Sequence, residues 1–266
     1  MPKKLSKFLL VHKETKFDVT KQALKQVEAI LKQKKVSYKK ISVSMLLKED
    51  LNGFDKVIIL GGDGTILKTC KYVYSQPVIL INSDPTRSKG AITDCAVHEL
   101  EKLTDVLDGK FVTRLRQRLE VKINNSSLEE PVLNEVFFGS IKASMMSEYE
   151  ISYTDSQSGV AKKETQRSSG VIISTGTGST AWFNSAGGKA FNPSEEKAKF
   201  IVREAYDKKN LTIFEGEAIG SDFKLVVKKE DMCLSMDSYD LQLLDKEDKV
   251  TFKISKFPLK VLCPQE

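Results

Sequence analysis

The sequence predicts an α/β domain followed by an all-β one: a Rossmann-like N-terminal half on a parallel sheet, then an antiparallel, β-sandwich-like half. Two changes of period carry that reading. Up to about residue 110, uninterrupted apolar runs alternate with segments of helical period, and strands without a wet side need a sheet covered on both faces. Beyond residue 111, apolar residues recur at every second position, as in strands with one solvent-facing side. A third observation is the glycine-rich junction Gly61-Gly62-Asp63-Gly64-Thr65, placed directly after an apolar run.

In the first half the runs Phe8-Leu9-Leu10-Val11, Val57-Ile58-Ile59-Leu60 and Val78-Ile79-Leu80-Ile81 predict strands. Ala23, Leu24, Val27, Ile30 and Leu31 share one face of a helix between the first two. A further helix carries Val97, Leu100, Leu103 and Leu107 and stops near Gly109. In the second half Leu119, Val121 and Ile123, then Tyr149, Ile151 and Tyr153, recur at every second position, and Phe223–Val227 and Val250–Ile254 carry apolar residues at that same spacing. Asn124-Asn125-Ser126-Ser127 and Asp155-Ser156-Gln157-Ser158-Gly159 read as turns between strands. The expected domains are residues 1–110 and 111–254, with a tail of about 255–266 packing back on the first.

A chain of 266 residues, 40% hydrophobic and 29% charged, can bury two such cores. No apolar run reaches the ~18 residues of a membrane-spanning helix, so no membrane partner is expected. The basic opening, Met1 to Lys7, precedes an apolar run too short for a secretion signal. The expectation is a cytoplasmic protein, or one of the mitochondrial matrix if a presequence has been removed. Cys70, Cys95, Cys233 and Cys263 form no C-x-x-C pair and suggest neither a zinc site nor a disulfide framework. The net charge of +6 draws on clusters such as Lys32-Gln33-Lys34-Lys35, at a helix end where lysine is favourable. Without an aromatic stripe or recognition helix, nucleic acid is not an expected partner.

Three segments carry chemistry. The junction from Gly61 to Thr65 has the features of a phosphate site: glycines admit a sharp turn and close backbone approach, and the helix that follows offers its N-terminus to anions. Asp63 is out of place there, because a carboxylate repels phosphate; it calls for a separate task, such as accepting a hydroxyl proton or holding Mg2+. Its bland alternative is a helix cap. In Val132-Leu133-Asn134-Glu135-Val136-Phe137-Phe138, two polar residues interrupt an apolar strand, and a ligand with hydroxyls would satisfy them; a strand-edge Asn beside a solvated Glu would explain them equally. In Ser174-Thr175-Gly176-Thr177-Gly178-Ser179-Thr180-Ala181-Trp182, hydroxyls and backbone lie beside the only tryptophan, which can stack on a base or fill a core.

Gly-Gly-Asp-Gly-Thr after an apolar strand resembles the signature of NAD kinases, shared more distantly with diacylglycerol and sphingosine kinases. Asn134-Glu135 and the Thr-Gly-Ser-Thr-Ala-Trp segment with Gly187-Gly188 are similar to two further NAD kinase motifs, in order and spacing, over residues 8–262. The resemblance implies transfer of a phosphoryl group from ATP or polyphosphate, with Mg2+, to the adenosine-ribose 2′-hydroxyl of NAD. It implies Asp63 as the catalytic base, Gly61, Gly62, Gly64 and Thr65 at the phosphates, and a homodimer or homotetramer. NAD would be held by Asn134, Glu135, Thr175, Thr177, Thr180, Ala181, Trp182 and Ser185, with Trp182 on the adenine where the family has tyrosine. Asp237 and Ser238 stand where the family has Asp-Gly, and Ser169 stands where it commonly has an aspartate. Asn82-Ser83-Asp84-Pro85, Ser168-Ser169-Gly170 and Thr175-Gly176-Thr177-Gly178-Ser179 together resemble the divergent branch that contains the mitochondrial NAD kinases of animals, and the departures bear on the contacts to the nicotinamide end. The rivals are a lipid kinase, which shares only the first motif, and a catalytically silent NAD sensor, against which the intact Asp63 stands.

Overall fold

A computed structural model describes residues 6–88, 90–155, 158–219 and 223–265. The basic opening through Leu5, and Ser156 and Gln157 of the second turn, lie outside these residues. The chain divides into two units, Met1–Leu115 with Leu259–Glu266, and Arg116–Pro258.

The first unit begins with β1 (Lys7–His12), α1 (Asp18–Gln33), β2 (Ser37–Ser42), β3 (Lys56–Leu60), α2 (Asp63–Cys70), β4 (Val78–Asn82), β5 (Cys95–Ala96), α3 (Leu100–Leu107) and β6 (Phe111–Arg116). β3 and β4 are buried almost throughout, as their apolar runs require. α1 buries Thr20, Ala23, Val27 and Leu31, one stripe at helical spacing, against the sheet. Asp18 in its first turn and Lys32 in its last complement the helix dipole. The helix expected from Val97 starts instead with a 3₁₀ turn over Val97–Glu99, and α3 ends at Leu107. Gly109 then takes φ +88°, a left-handed value that lets Gly109 and Lys110 donate back to the carbonyls of Val106 and Asp105.

The second unit contains β7 (Leu119–Ile123), β8 (Ser126–Ser127), β9 (Glu135–Ser140), β10 (Ser147–Thr154), β11 (Ala161–Ser168), β12 (Gly170–Ser174), α4 (Trp182–Ser185), β13 (Lys199–Arg203), β14 (Glu215–Glu217), β15 (Lys224–Val227), β16 (Met232–Met236), β17 (Asp240–Leu244) and β18 (Lys249–Ile254). They form two six-stranded antiparallel sheets, ordered β11-β10-β15-β18-β7-β8 and β14-β13-β12-β9-β16-β17. Inward residues of both sheets make one core: Val121, Tyr149, Ile151, Leu225 and Val250 from the first, Val136, Phe138, Val171, Ile173, Phe200 and Leu234 from the second.

A last strand, β19 (Leu259–Pro264), returns to the first unit beside β4, and the sheet there runs β2-β1-β3-β4-β19-β6, with β5 also on β4. β6 thus lies in the first sheet, so the units part after Leu115 although the sequence period changes at 111. β2, β1, β3 and β4 are mutually parallel. From β1 the chain goes outward to β2 and then back to β3 on the other side, so β1 and β3 flank a switch point, and ligands in open α/β sheets sit beyond the carboxyl ends of strands there.

Candidate active site

The Gly61–Thr65 junction follows β3 at that switch point. Gly62 is the N-cap of α2 and Asp63 its first residue, so Asp63 is not the cap. Its carboxylate instead accepts from the N–H of Ala91 and of Ile92, one on each oxygen, both at 3.3 Å. Gly61 and Gly62 are required by space and not by a turn: Gly62 has φ −86°, open to any residue, but a Cβ there would stand 2.9 Å from Ser88 Oγ. At Gly61 a Cβ would run into the side chain of Thr65. The sharp-turn argument from sequence is replaced by one of close approach.

A cavity of about 270 Å3 opens beside this junction, lined by Lys13, Thr15 and Phe17 after β1, Gly62 after β3, Asn82 at the end of β4, and Asp84, Arg87 and Ser88 beyond it. The Arg87 guanidinium lies 3.8 Å from the centre of the Phe17 ring. Two cationic side chains and a glycine N-cap suit a phosphate-bearing ligand. Buried Asp84 is the exception. Its Oδ1 accepts from the N–H and hydroxyl of Thr86, and among the described residues Oδ2 accepts nothing.

In the second unit Asn134 and Glu135 are 7% and 6% exposed, which removes the solvated-Glu alternative. Asn134 precedes the strand and Glu135 is the first residue of β9. All their backbone groups are engaged. Asp237, just after β16, accepts from the N–H of Leu133 on Oδ2 (2.8 Å) and of Asn134 and Glu135 on Oδ1 (2.7 and 3.3 Å). The Asp237 N–H donates to the Glu135 carbonyl, and Thr175 donates its N–H to the Asn134 carbonyl and its hydroxyl to that of Leu133. Around this loop three buried side-chain atoms have no hydrogen-bond partner among the described residues: Asn134 Oδ1, Glu135 Oε2 and Thr177 Oγ1. Buried polar atoms are rarely left so, and here they accumulate around one short loop. Gly178 closes it, where a Cβ would collide with the Asn134 carbonyl and stand 2.7 Å from Glu135 Oε2.

Burial, reinforced by the neighbouring Asp237, pushes the Glu135 carboxyl up to about 8. Asp237 is raised less, to about 6, because burial is opposed by the three N–H donors that favour its anion. At neutral pH Asp237 is therefore charged, and Glu135 is a neutral acid able to donate as well as accept.

Trp182 opens α4 against Phe137, ring centres 5.0 Å apart, with the Arg203 guanidinium 5.1 Å from its own ring. Ser169 donates its N–H to the Arg203 carbonyl and so belongs to this cluster. Thr180 and Ser185 are exposed, and the Ser185 hydroxyl donates to the Ala181 carbonyl. The structure thus brings Asn134, Glu135, Thr175, Thr177 and Asp237 together, and Trp182 with Ser169. Thr175 and Asp237 face backbone, whereas the sequence suggested ligand contacts for both. Nothing local in the sequence marks Lys13, Thr15 and Arg87 as cavity residues; their place after strands of the switch-point region emerges only with the strand order.

Comparison with known proteins gives two family matches: the ATP-NAD kinase N-terminal domain over residues 3–111 and the ATP-NAD kinase C-terminal domain over residues 133–263. A protein of Arabidopsis thaliana named NADH kinase is 31% identical over 74% of this chain and 67% of its own length. An NAD kinase of Acidithiobacillus ferrooxidans is 27% identical over 80% of this chain and 72% of its own. In fold, the chain is similar to the crystal structure of an NAD kinase from Archaeoglobus fulgidus in complex with ATP, with TM-score 0.76 and 22% identity over 96% of this chain and 92% of that one.

Proposed function

The chain belongs to the NAD kinase family, and from its reaction, the phosphorylation of NAD to NADP with ATP, we propose how the residues of this chain divide the work. The carrying observation is the group of orphaned polar atoms Asn134 Oδ1, Glu135 Oε2 and Thr177 Oγ1. They are the acceptor site, and the hydroxyls of the adenosine ribose complete their hydrogen bonds, with neutral Glu135 as a donor. Trp182 offers its ring to the adenine.

The donor's phosphates lie in the cavity between Lys13, Arg87 and the Gly61–Thr65 junction. Among the described residues no three His, Cys, Asp or Glu side chains gather around a metal, and Asp84, a carboxylate with a free oxygen among cations, fits an Mg2+ ion that arrives with the donor. That ion would neutralise charge on the phosphates. Asp63 takes the proton of the 2′-hydroxyl as its oxygen bonds to the terminal phosphorus and the bond to the leaving ADP breaks. The donors from Ala91 and Ile92 hold the carboxylate for that task. Polyphosphate as an alternative donor, a homodimer or homotetramer, and a cytoplasmic place remain proposals from the family resemblance.

Incubation with Mg-ATP and either NAD or diacylglycerol tests this reading. NADP from the wild type, and none from Asn134→Ala combined with Glu135→Gln, is the expected result; a phosphorylated lipid, or no product from the wild type, overturns it.

A further inference from the structure

We propose that Asp237 is a positioning residue that makes no contact with NAD and acts only by fixing the backbone of Asn134 and Glu135. The inference rests on the acceptor site proposed above. Leu133, Asn134 and Glu135 present three successive N–H groups at the start of β9, where all three residues are at least nine-tenths buried. Buried N–H groups need acceptors, and β16, the strand paired with β9, ends at Met236 opposite Val136 and supplies none for them. Asp237 follows immediately, with φ +48°, and Ser238 with φ +61°. Left-handed conformations are costly for residues other than glycine, and here they fold the Asp237 side chain back over the three donors. Thr175 holds the opposite edge through the carbonyls of Leu133 and Asn134. With every backbone group engaged, the side-chain atoms Asn134 Oδ1 and Glu135 Oε2 are the ones left for a ligand.

A residue that acts through two others must lose its effect when those two are stripped. NAD affinity is measured by calorimetry on the full chain carrying Asp237→Asn, Asn134→Ala with Glu135→Gln, and all three changes. In Asp237→Asn an amide NH2 can face an N–H donor, and a loss of at least about tenfold in NAD affinity is expected. In the stripped background the same change should cost less than about twofold. Mg-ATP affinity should stay constant throughout, which a general loosening of the protein would not allow. An equal loss in both backgrounds, or none in the wild-type background, overturns the inference alone. Unchanged affinity in Asn134→Ala with Glu135→Gln overturns the acceptor site and the inference with it. If Asp237→Asn does not fold, Asp237→Glu, which keeps the charge but is one methylene too long to hold the three donors in the same register, should show the same dependence on background.

Discussion

The Cα of Gly178 lies so close to Glu135 that a Cβ would stand 2.7 Å from Oε2, with the Asn134 carbonyl nearer still. The loop carrying Thr177 therefore rests directly on the two residues assigned to the ribose, and only glycine permits the contact.

Gly178→Ala should accordingly displace the loop without any backbone strain, since Gly178 does not have a positive φ. Overpacking of this kind costs about 1–3 kcal/mol. Because the displaced atoms are those of the acceptor site, kcat/KM for NAD should fall by roughly tenfold or more, while the affinity for Mg-ATP holds. Steady-state kinetics with each substrate varied in turn checks this, and an equal loss for both substrates would refute it.

Glu135 makes stability depend on pH in a defined direction. Its folded pKa is about 8, against roughly 4.3 in an unfolded chain. Between these values the folded state holds a proton that the unfolded state has released, so this group lowers stability as pH rises through the window, and its effect levels off above about 8. Glu135→Gln should match the wild type near pH 4.5 and exceed it by a few kcal/mol near pH 8. The only tryptophan, Trp182, lies in the second unit and reports unfolding there by fluorescence. A stability difference that is flat across the window would show that Glu135 is not held neutral.

Trp182 already packs on Phe137 and Arg203, so its removal should have both a packing and a binding consequence. Trp182→Phe should retain most NAD affinity, whereas Trp182→Ala should lose about 1 kcal/mol or more, the scale of an aromatic pair beyond area burial. Phe137→Leu separates the two effects, because it loosens the packing and leaves the indole. Wild-type NAD affinity in a folded Trp182→Ala protein would remove the adenine from this ring.

The junction at Gly61 and the order of three motifs were legible because each is local: a buried strand, its glycines and a helix start are adjacent in sequence. The clamp was not legible, since Asp237 meets Leu133, Asn134 and Glu135 across 104, 103 and 102 positions. Nor does alternation say which sheet a strand joins. β6 lies in the first sheet because of its hydrogen-bond partner, and a period carries no information about partners. The donor cavity shared that fate, since Lys13 and Arg87 become neighbours only once β1, β3 and β4 are side by side.

Asp63 is the sharpest case, because two roles are open to its carboxylate: taking a proton, and anchoring the loop at Ala91 and Ile92. Asp63→Asn weakens both, since an amide retains one acceptor oxygen and turns its NH2 toward the other N–H. Loss of a general base costs about 10²–10⁴ in rate. NAD affinity should stay within roughly tenfold, as the groups around Asn134 are untouched. A slow variant alone would not separate base from anchor, but a change at the other end of the anchor does. Ala91→Pro removes one of the two donors and leaves the carboxylate in place. If Asp63 accepts the proton, Ala91→Pro keeps far more of the wild-type kcat than Asp63→Asn does; if Asp63 only anchors the loop, the two variants are slowed alike. A variant with more than about a tenth of wild-type kcat would leave the proton to another group altogether.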